Sequence, residues 1–82
     1  MELKDTVPLM LSSDYKDRFK AEYYQTKIRF NKLNDMLEKY RNHELDFKPT
    51  CDYDTLNGQC FCMKCYLNDL TRRAEIENIS LS

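Results

Sequence analysis

Four cysteines lie within fifteen residues and are the only cysteines in the chain. They are Cys51, Cys60, Cys62 and Cys65, in the pattern C-x8-C-x-C-x2-C. The CxxC spacing lets two thiolates point at a common centre, and Gly58 can supply a tight turn that brings Cys60 close. Four thiolates suit tetrahedral zinc, with Zn–S distances of about 2.3 Å. The pattern therefore predicts a structural Zn²⁺ site whose metal contributes to folding.

Other chemistry for these thiols stays open at this point. They could be buried or oxidation-prone free thiols, or ligands of an iron–sulfur cluster. His43, the only histidine, could replace one cysteine as a ligand. Redox use of the pair Cys62 and Cys65 is disfavoured because no βαβ pattern surrounds it.

The chain shows no constellation typical of an enzyme. A four-thiolate zinc site is closed, whereas catalytic zinc keeps a position open for water. There is no Ser/His/Asp set, phosphate loop or metal-hydrolase motif. We therefore expect a binding protein rather than an enzyme.

Composition favours helices in a single domain. The 82 residues include one glycine and two prolines, with 33% charged and 41% hydrophobic residues. A chain this short buries a thin core and commonly needs a metal, disulfides or a partner subunit to stabilise it.

The central region predicts a long amphipathic helix over residues 12–43. Ser12 or Ser13 can cap its start, and Asp14 and Asp17 would lie in its first turn. Apolar residues then recur at alternating spacings of four and three, which is typical of a helix packed along a narrow seam. The seam residues are Phe19, Tyr23, Thr26, Phe30, Leu33, Leu37 and Tyr40. Such a helix needs a second helix or another chain beside it.

The remaining segments complete an all-α prediction for one domain, residues 1–82. Residues 1–11 are predicted to be an irregular lead-in, because the residue before Pro8 disfavours helix. Residues 44–60 form an irregular connector with cysteines, and residues 61–78 a second helix. Its apolar side is Leu67, Leu70 and Ala74, with Ile76 as a further candidate; an earlier start, capped by Asp52 or Asp54, is the alternative. The predicted fold is a helical hairpin stapled by the zinc site.

Charge and aromatic patterning point to a protein partner. The stretch from 14 to 42 has eight basic and five acidic residues, whereas 44–56 has four acidic residues and one basic. With a pI near 5.8 and no basic stripe, direct nucleic-acid binding is not expected. The predicted partner contacts are Tyr24, which lies off the seam, and the acidic residues of the connector, Glu44, Asp46, Asp52 and Asp54.

No targeting or membrane segment is recognisable. The apolar run from Val7 to Leu11 is shorter than a signal-peptide core or a membrane span requires. We therefore expect a protein that stays in the cytoplasm, where cysteines favour metals over disulfides.

Two blocks carry a resemblance to known proteins. The runs from Ser12 to Phe30 and from Leu70 to Leu81 resemble a large group of short phage and prophage proteins of Gram-positive hosts. Those proteins are predicted helical hairpins. Because they are phage and prophage proteins, the resemblance also implies that the protein acts in the cytoplasm of a bacterial host. The cysteine cluster departs from that group and resembles a metal-containing anti-CRISPR protein of the type II-A class.

The second resemblance implies counter-defence by stoichiometric binding to Cas9 or another host defence protein. Because the chain is near neutral, we expect it to bind a protein surface and to obstruct DNA loading or the movement before cleavage. Two alternatives remain. The first is an oligomeric helical sponge that sequesters a signalling nucleotide, with a pocket lined by residues such as Arg29, Lys32 or Arg72. The second is a zinc-containing phage DNA-binding regulator.

Overall fold

The computed structural model describes residues 1–81, and these residues form helices and connecting turns without a strand. A 3-10 turn, Leu3–Thr6, leads into a short helix, α1, at Val7–Met10. Two long helices follow, α2 at Tyr15–Arg41 and α3 at Tyr53–Glu77. The all-helical prediction is thus confirmed, whereas several boundaries differ from it.

The N-terminal segment is ordered rather than irregular, which corrects the prediction for residues 1–11. Pro8 lies at the start of α1, where its missing N–H would have no partner in any case. Thr6 is completely buried, and its hydroxyl donates to the Leu3 carbonyl and accepts from the Gln25 side chain at 2.9 Å. These bonds attach the segment to the face of α2 that carries Ala21, which is also buried.

Helix α2 begins at Tyr15 because Asp14, not either serine, caps it. The Asp14 carboxylate accepts from the Lys16 backbone N–H at 3.0 Å. Ser12 instead donates to the Asp17 carboxylate at 2.8 Å and accepts from the Asp14 N–H. The helix is two or three residues shorter at each end than the predicted span 12–43.

Helix α3 begins at Tyr53, eight residues before the predicted start. The Asp52 side chain accepts from both the backbone N–H and the hydroxyl of Thr55, at 3.0 and 2.8 Å. This cap confirms the alternative early start and shortens the connector to residues 42–52. Gly58 consequently lies inside the helix with open space beside it, where it costs about 1 kcal/mol relative to alanine.

The long helices pack antiparallel as a hairpin. At its base, Tyr15 donates to the Glu77 carboxylate at 2.7 Å, and at its tip Arg41 donates to the Tyr53 hydroxyl at 2.9 Å. A core cluster lies at the base, and Leu37 is completely buried nearer the tip. The cluster residues are Phe19, Leu70, Ala74 and Ile79, with Tyr23 and Leu81 packed against them.

The predicted seam on α2 is confirmed in its register, but one apolar candidate on α3 is wrong. Ile76 is 69% exposed, whereas Ile79, beyond the helix end, is 6% exposed. The chain reverses at Asn78, which has a left-handed backbone with φ 57°, and the Ile79 N–H donates to the Ala74 carbonyl at 2.8 Å. This Schellman motif folds Ile79 back onto the core.

Helix α2 ends with the same motif, at a residue less suited to it. His43 has φ 58°, and the Glu44 N–H donates to the Lys39 carbonyl at 2.8 Å. A left-handed backbone is strained for a residue with a Cβ, and glycine relieves that strain.

We therefore expect His43→Gly to raise the free energy of unfolding by about 0.5–1 kcal/mol, a gain of roughly 3–6 °C in melting temperature. Circular dichroism melts provide the measurement. Asn42→Gly is the matched control, because Asn42 has φ −89° and gains no relief. A destabilised His43→Gly would contradict the assigned helix end.

Candidate functional site

The four cysteines are distributed around the hairpin rather than gathered at one point. Cys51 is exposed in the connector, before the cap of α3. Cys60 is buried and faces α2, with its thiol 3.9 Å from the Asn34 side-chain oxygen. Cys62 and Cys65 are exposed on α3.

Helix geometry explains why the four thiols do not converge. Residues two apart on an α-helix point about 200° apart, so Cys60 and Cys62 face opposite sides of α3. Across residues 1–81, no group of three or more His, Cys, Asp or Glu side chains is placed to hold a metal ion. The donor set therefore does not fit one tetrahedral Zn²⁺ ion, and the zinc staple remains an unconfirmed prediction.

A hairpin held by helix packing and a hairpin held by zinc should respond differently when an exposed cysteine is replaced by serine. If the hairpin is held by helix packing, Cys62→Ser should change the free energy of unfolding by less than about 0.5 kcal/mol. Urea unfolding, with bound metal measured by mass spectrometry on the same samples, tests this. Loss of folding together with loss of about one equivalent of zinc would support the staple instead.

The predicted partner contacts lie at separate places on the surface. Glu44 and Asp46 are exposed in the connector. Asp52 and Asp54 are also exposed, but the Asp52 carboxylate is occupied in capping α3. Tyr24 is half-buried and donates to the Leu81 carbonyl at 3.0 Å, so its hydroxyl has a role within the fold.

A groove of about 310 Å³ lies between the long helices, and its lining combines aromatic and positively charged side chains. We call it the α2–α3 groove. Two aromatic rings, two amides, two cations and the buried thiol line it, and none of these described residues is a carboxylate. The lining residues are Phe30, Asn34 and Arg41 from α2, and Asn57, Cys60, Phe61 and Lys64 from α3.

Helical spacing accounts for this convergence. Residues 57, 61 and 64 lie four and three apart, so they share one face of α3 beside Cys60. Residues 30, 34 and 41 similarly share one flank of α2, next to the buried Leu37. Phe61 is 67% exposed, and its ring forms one open wall of the groove.

Both cations lie near enough to Cys60 for their charges to act on its thiol. Burial raises the pKa of the Cys60 thiol, while the positive charges of Arg41 and Lys64 act in the opposite direction. Arg41 is also oriented by the Tyr53 hydroxyl. The groove thus offers a positive field beside apolar ring faces, an arrangement that suits an anionic ligand with an aromatic part.

A family model matches residues 13–76, which are 64 of the 82 residues, and its description is Sequestin. The chain belongs to the Sequestin family. The family name suggests sequestration of a molecule, in agreement with the resemblance to small phage-type proteins, and the match carries no information on anti-CRISPR activity or metal binding. No curated protein and no solved structure matches the chain.

Sequence patterns did not identify the two cations that line the α2–α3 groove of this Sequestin chain. Arg29 and Arg72 are exposed on different helices, and Lys32 lies in a groove near the hairpin tip with Asp35 and Glu44. The usable signal was the spacing of Asn57, Phe61 and Lys64, but it required knowing that α3 begins at Tyr53.

Two further grooves lie at the tip of the Sequestin hairpin and share Leu45 and Phe47. One mixes Lys32 and Lys39 with three carboxylates, so its charges offset one another. The other combines Tyr40 and His43 with Lys48. Of these three grooves, the α2–α3 groove is the one lined by two cations and no carboxylate.

Burial of Cys60 has a measurable consequence for thiol chemistry. The thiolate reacts, and a raised pKa keeps Cys60 protonated at pH 7.5. We expect a disulfide reagent to label the exposed Cys51 at least about tenfold faster than Cys60, with peptide mass spectrometry to assign the sites. Equal rates in the native protein, matching those in denaturant, would contradict the described packing of Cys60.

No helix within the described part of the chain is both long enough and apolar enough to cross a membrane.

Proposed function

We propose that the protein sequesters a small phosphate-bearing aromatic ligand, a nucleotide, by stoichiometric binding in the α2–α3 groove. The observation that carries this proposal is the convergence of Arg41 and Lys64 with Phe30 and Phe61 in one opening. Membership of the Sequestin family supports sequestration as the outcome of binding. This function is the nucleotide-sponge alternative, with the binding site in the α2–α3 groove instead of at Arg29, Lys32 or Arg72.

Each part of the lining has a separate role in this proposal. Arg41 and Lys64 neutralise phosphate oxygens, with the guanidinium supplying paired donors and the ammonium a compact charge. Phe61, and Phe30 below it, provide apolar faces for a base to stack against. The amides of Asn34 and Asn57 can donate and accept, which suits base edges and sugar hydroxyls.

Binding without turnover follows from the same residues. The groove lining contains no histidine or carboxylate that could act as a general base. Its one thiol, Cys60, is buried and held protonated by its raised pKa, so it is a poor nucleophile. A groove of this kind would retain its ligand unchanged, which is what removal of a signalling molecule from a cell requires.

Direct binding measurements test the proposal. Isothermal titration calorimetry with a panel of linear and cyclic nucleotides should give saturable binding of at least one compound. Chromatography of the released ligand should show it unmodified. No binding across the panel, or conversion of the ligand to product, would contradict the proposal.

Two exposed phenylalanines allow the site to be located. Phe61 is 67% exposed in the α2–α3 groove, and Phe47 is 56% exposed in the connector. Because base–aromatic stacking contributes about 1–3 kcal/mol, Phe61→Ala should weaken binding about 5- to 150-fold, with Phe47→Ala near wild type. The reverse result would place the ligand at the hairpin tip.

Inhibition of Cas9 is the competing proposal, and it rests on a different surface. Its support in the molecule is the exposed acidic connector with Glu44 and Asp46. It predicts co-purification with Cas9 that is lost when these residues become Gln and is unchanged by Phe61→Ala. The nucleotide proposal predicts the opposite dependence, so the same three variants separate the two functions.

A further inference from the structure

The outward face of α3 carries a second regular stripe that the hairpin leaves exposed. Its residues recur at spacings of three and four, which places them on one line along the helix. We call this stripe the outer seam; its residues are Cys62, Cys65, Asp69, Arg72 and Ile76, and all five are exposed. This line lies on the side of α3 opposite Leu70 and Ala74, which face α2.

The charged members of the outer seam lack partners of their own. Within residues 1–81, neither Asp69 nor Arg72 takes part in an ion pair, although other charges nearby do, such as Arg73 with Glu77. Phe61 and Tyr66, 67% and 42% exposed, flank the stripe. A helix face with apolar residues at its ends and opposite charges at its centre is self-complementary when a second copy approaches in the reverse direction.

We infer that two copies of the chain associate through antiparallel packing of their α3 outer seams. With a two-fold axis between residues 70 and 71, Asp69 of each copy faces Arg72 of the other. The same register places Cys65 opposite Ile76, so thiol and methyl groups are buried on both sides of the charges. A parallel arrangement would instead place Asp69 against Asp69, and like charges oppose association.

Shape and surface area favour a second copy as the occupant. The molecule measures 43 × 25 × 19 Å and exposes 6015 Å², whereas a compact monomer of 9.9 kDa would expose about 5,200 Å². An elongated hairpin with a self-complementary exposed face can bury this excess by pairing. None of the five seam residues lines the α2–α3 groove, although Phe61, which flanks the seam, does.

Charge exchange provides a test that does not depend on any ligand. By sedimentation velocity at about 5–200 µM, the wild type should be a dimer. Asp69→Arg and Arg72→Asp should each raise the dissociation constant at least about tenfold, because each replaces two attractive pairs by two repulsive ones. The double variant should return to within about threefold of wild type. A monomeric wild type, or a double variant weaker than both single variants, would overturn the inference.

Cysteine cross-linking tests the register. In the proposed dimer, the two copies of Cys65 are eleven helical positions apart, about 16 Å along the axis. A Cys51→Ser/Cys62→Ser protein should therefore resist a short bifunctional maleimide, whereas adding Ile76→Cys should yield covalent dimers through Cys65. Efficient cross-linking through Cys65 without Ile76→Cys would overturn the stated register. Circular dichroism of every variant shows whether the hairpin remains folded.

Discussion

Leu70→Ala should lower the free energy of unfolding by about 2–5 kcal/mol, the largest stability effect that we expect in this chain. Leu70 is completely buried, and it contacts Phe19, Ala74 and Ile79 in the core cluster. Its removal leaves a cavity in the core cluster that joins the base of α2 to α3 and Ile79. For a domain of this size, the loss corresponds to a drop of roughly 10–30 °C in melting temperature.

Leu11→Ala is the matched control for this substitution. Leu11 is 75% exposed, so the same chemical change there should alter the free energy of unfolding by less than about 0.5 kcal/mol. Urea titrations of both variants give the comparison. A loss below about 1 kcal/mol at Leu70 would contradict the described packing of α3 on α2.

The register of the hairpin could be predicted because it depends on periodicity over a long helix. The alternating spacing of four and three along α2 placed Phe19 and Leu37 on the buried side, where both lie. Leu70 and Ala74 were assigned to the core for the same reason. Periodicity averages over many residues, so a single polar member such as Thr26 does not obscure it; its hydroxyl donates to the Glu22 carbonyl within the helix.

Helix ends were harder to predict from the sequence, because a cap depends on the geometry of a single side chain. Asp52 and Asp54 were equally plausible caps by residue type, and contact with Thr55 decides for Asp52. Likewise, Ile76 fits a helical face and Ile79 does not. The left-handed turn at Asn78 reverses this order, and sequence periodicity contains no information about that turn.

The cysteines show how a local motif can compete with helix formation. A CxxC spacing suits a metal-binding turn, but it is also compatible with a continuous helix. The early cap at Asp52 extends α3 through Gly58 and separates Cys60 from Cys62 around its axis. The same extension completes the α2–α3 groove, since it brings Asn57 and Cys60 onto the helix that carries Phe61 and Lys64. One boundary thus determines both what the thiols can do and where a ligand can bind.

Arg41→Gln and Lys64→Gln should each weaken nucleotide binding about 10- to 150-fold, a larger minimum loss than the one expected for Phe61→Ala. Both side chains line the α2–α3 groove, and both act on the Cys60 thiol through their charge. A hydrogen bond to a charged group contributes about 1.5–3 kcal/mol, and loss of the cation removes that contribution from the phosphate contact. Calorimetry at two salt concentrations should also show a smaller salt dependence in the variants, because fewer charges are neutralised on binding.

Arg29→Gln separates a local contact from a general effect of charge. It removes one positive charge from the same helix as Arg41, at an exposed position that does not line the groove. Its affinity should stay within about twofold of wild type, since an exposed charge that makes no contact with the ligand is weakened by water and salt. Arg41 also donates to Tyr53, so Tyr53→Phe serves as a second control, which removes that bond and keeps the cation. Equal losses in Arg29→Gln and Arg41→Gln would show that net charge, not the groove, governs binding, and the assigned site would then be wrong.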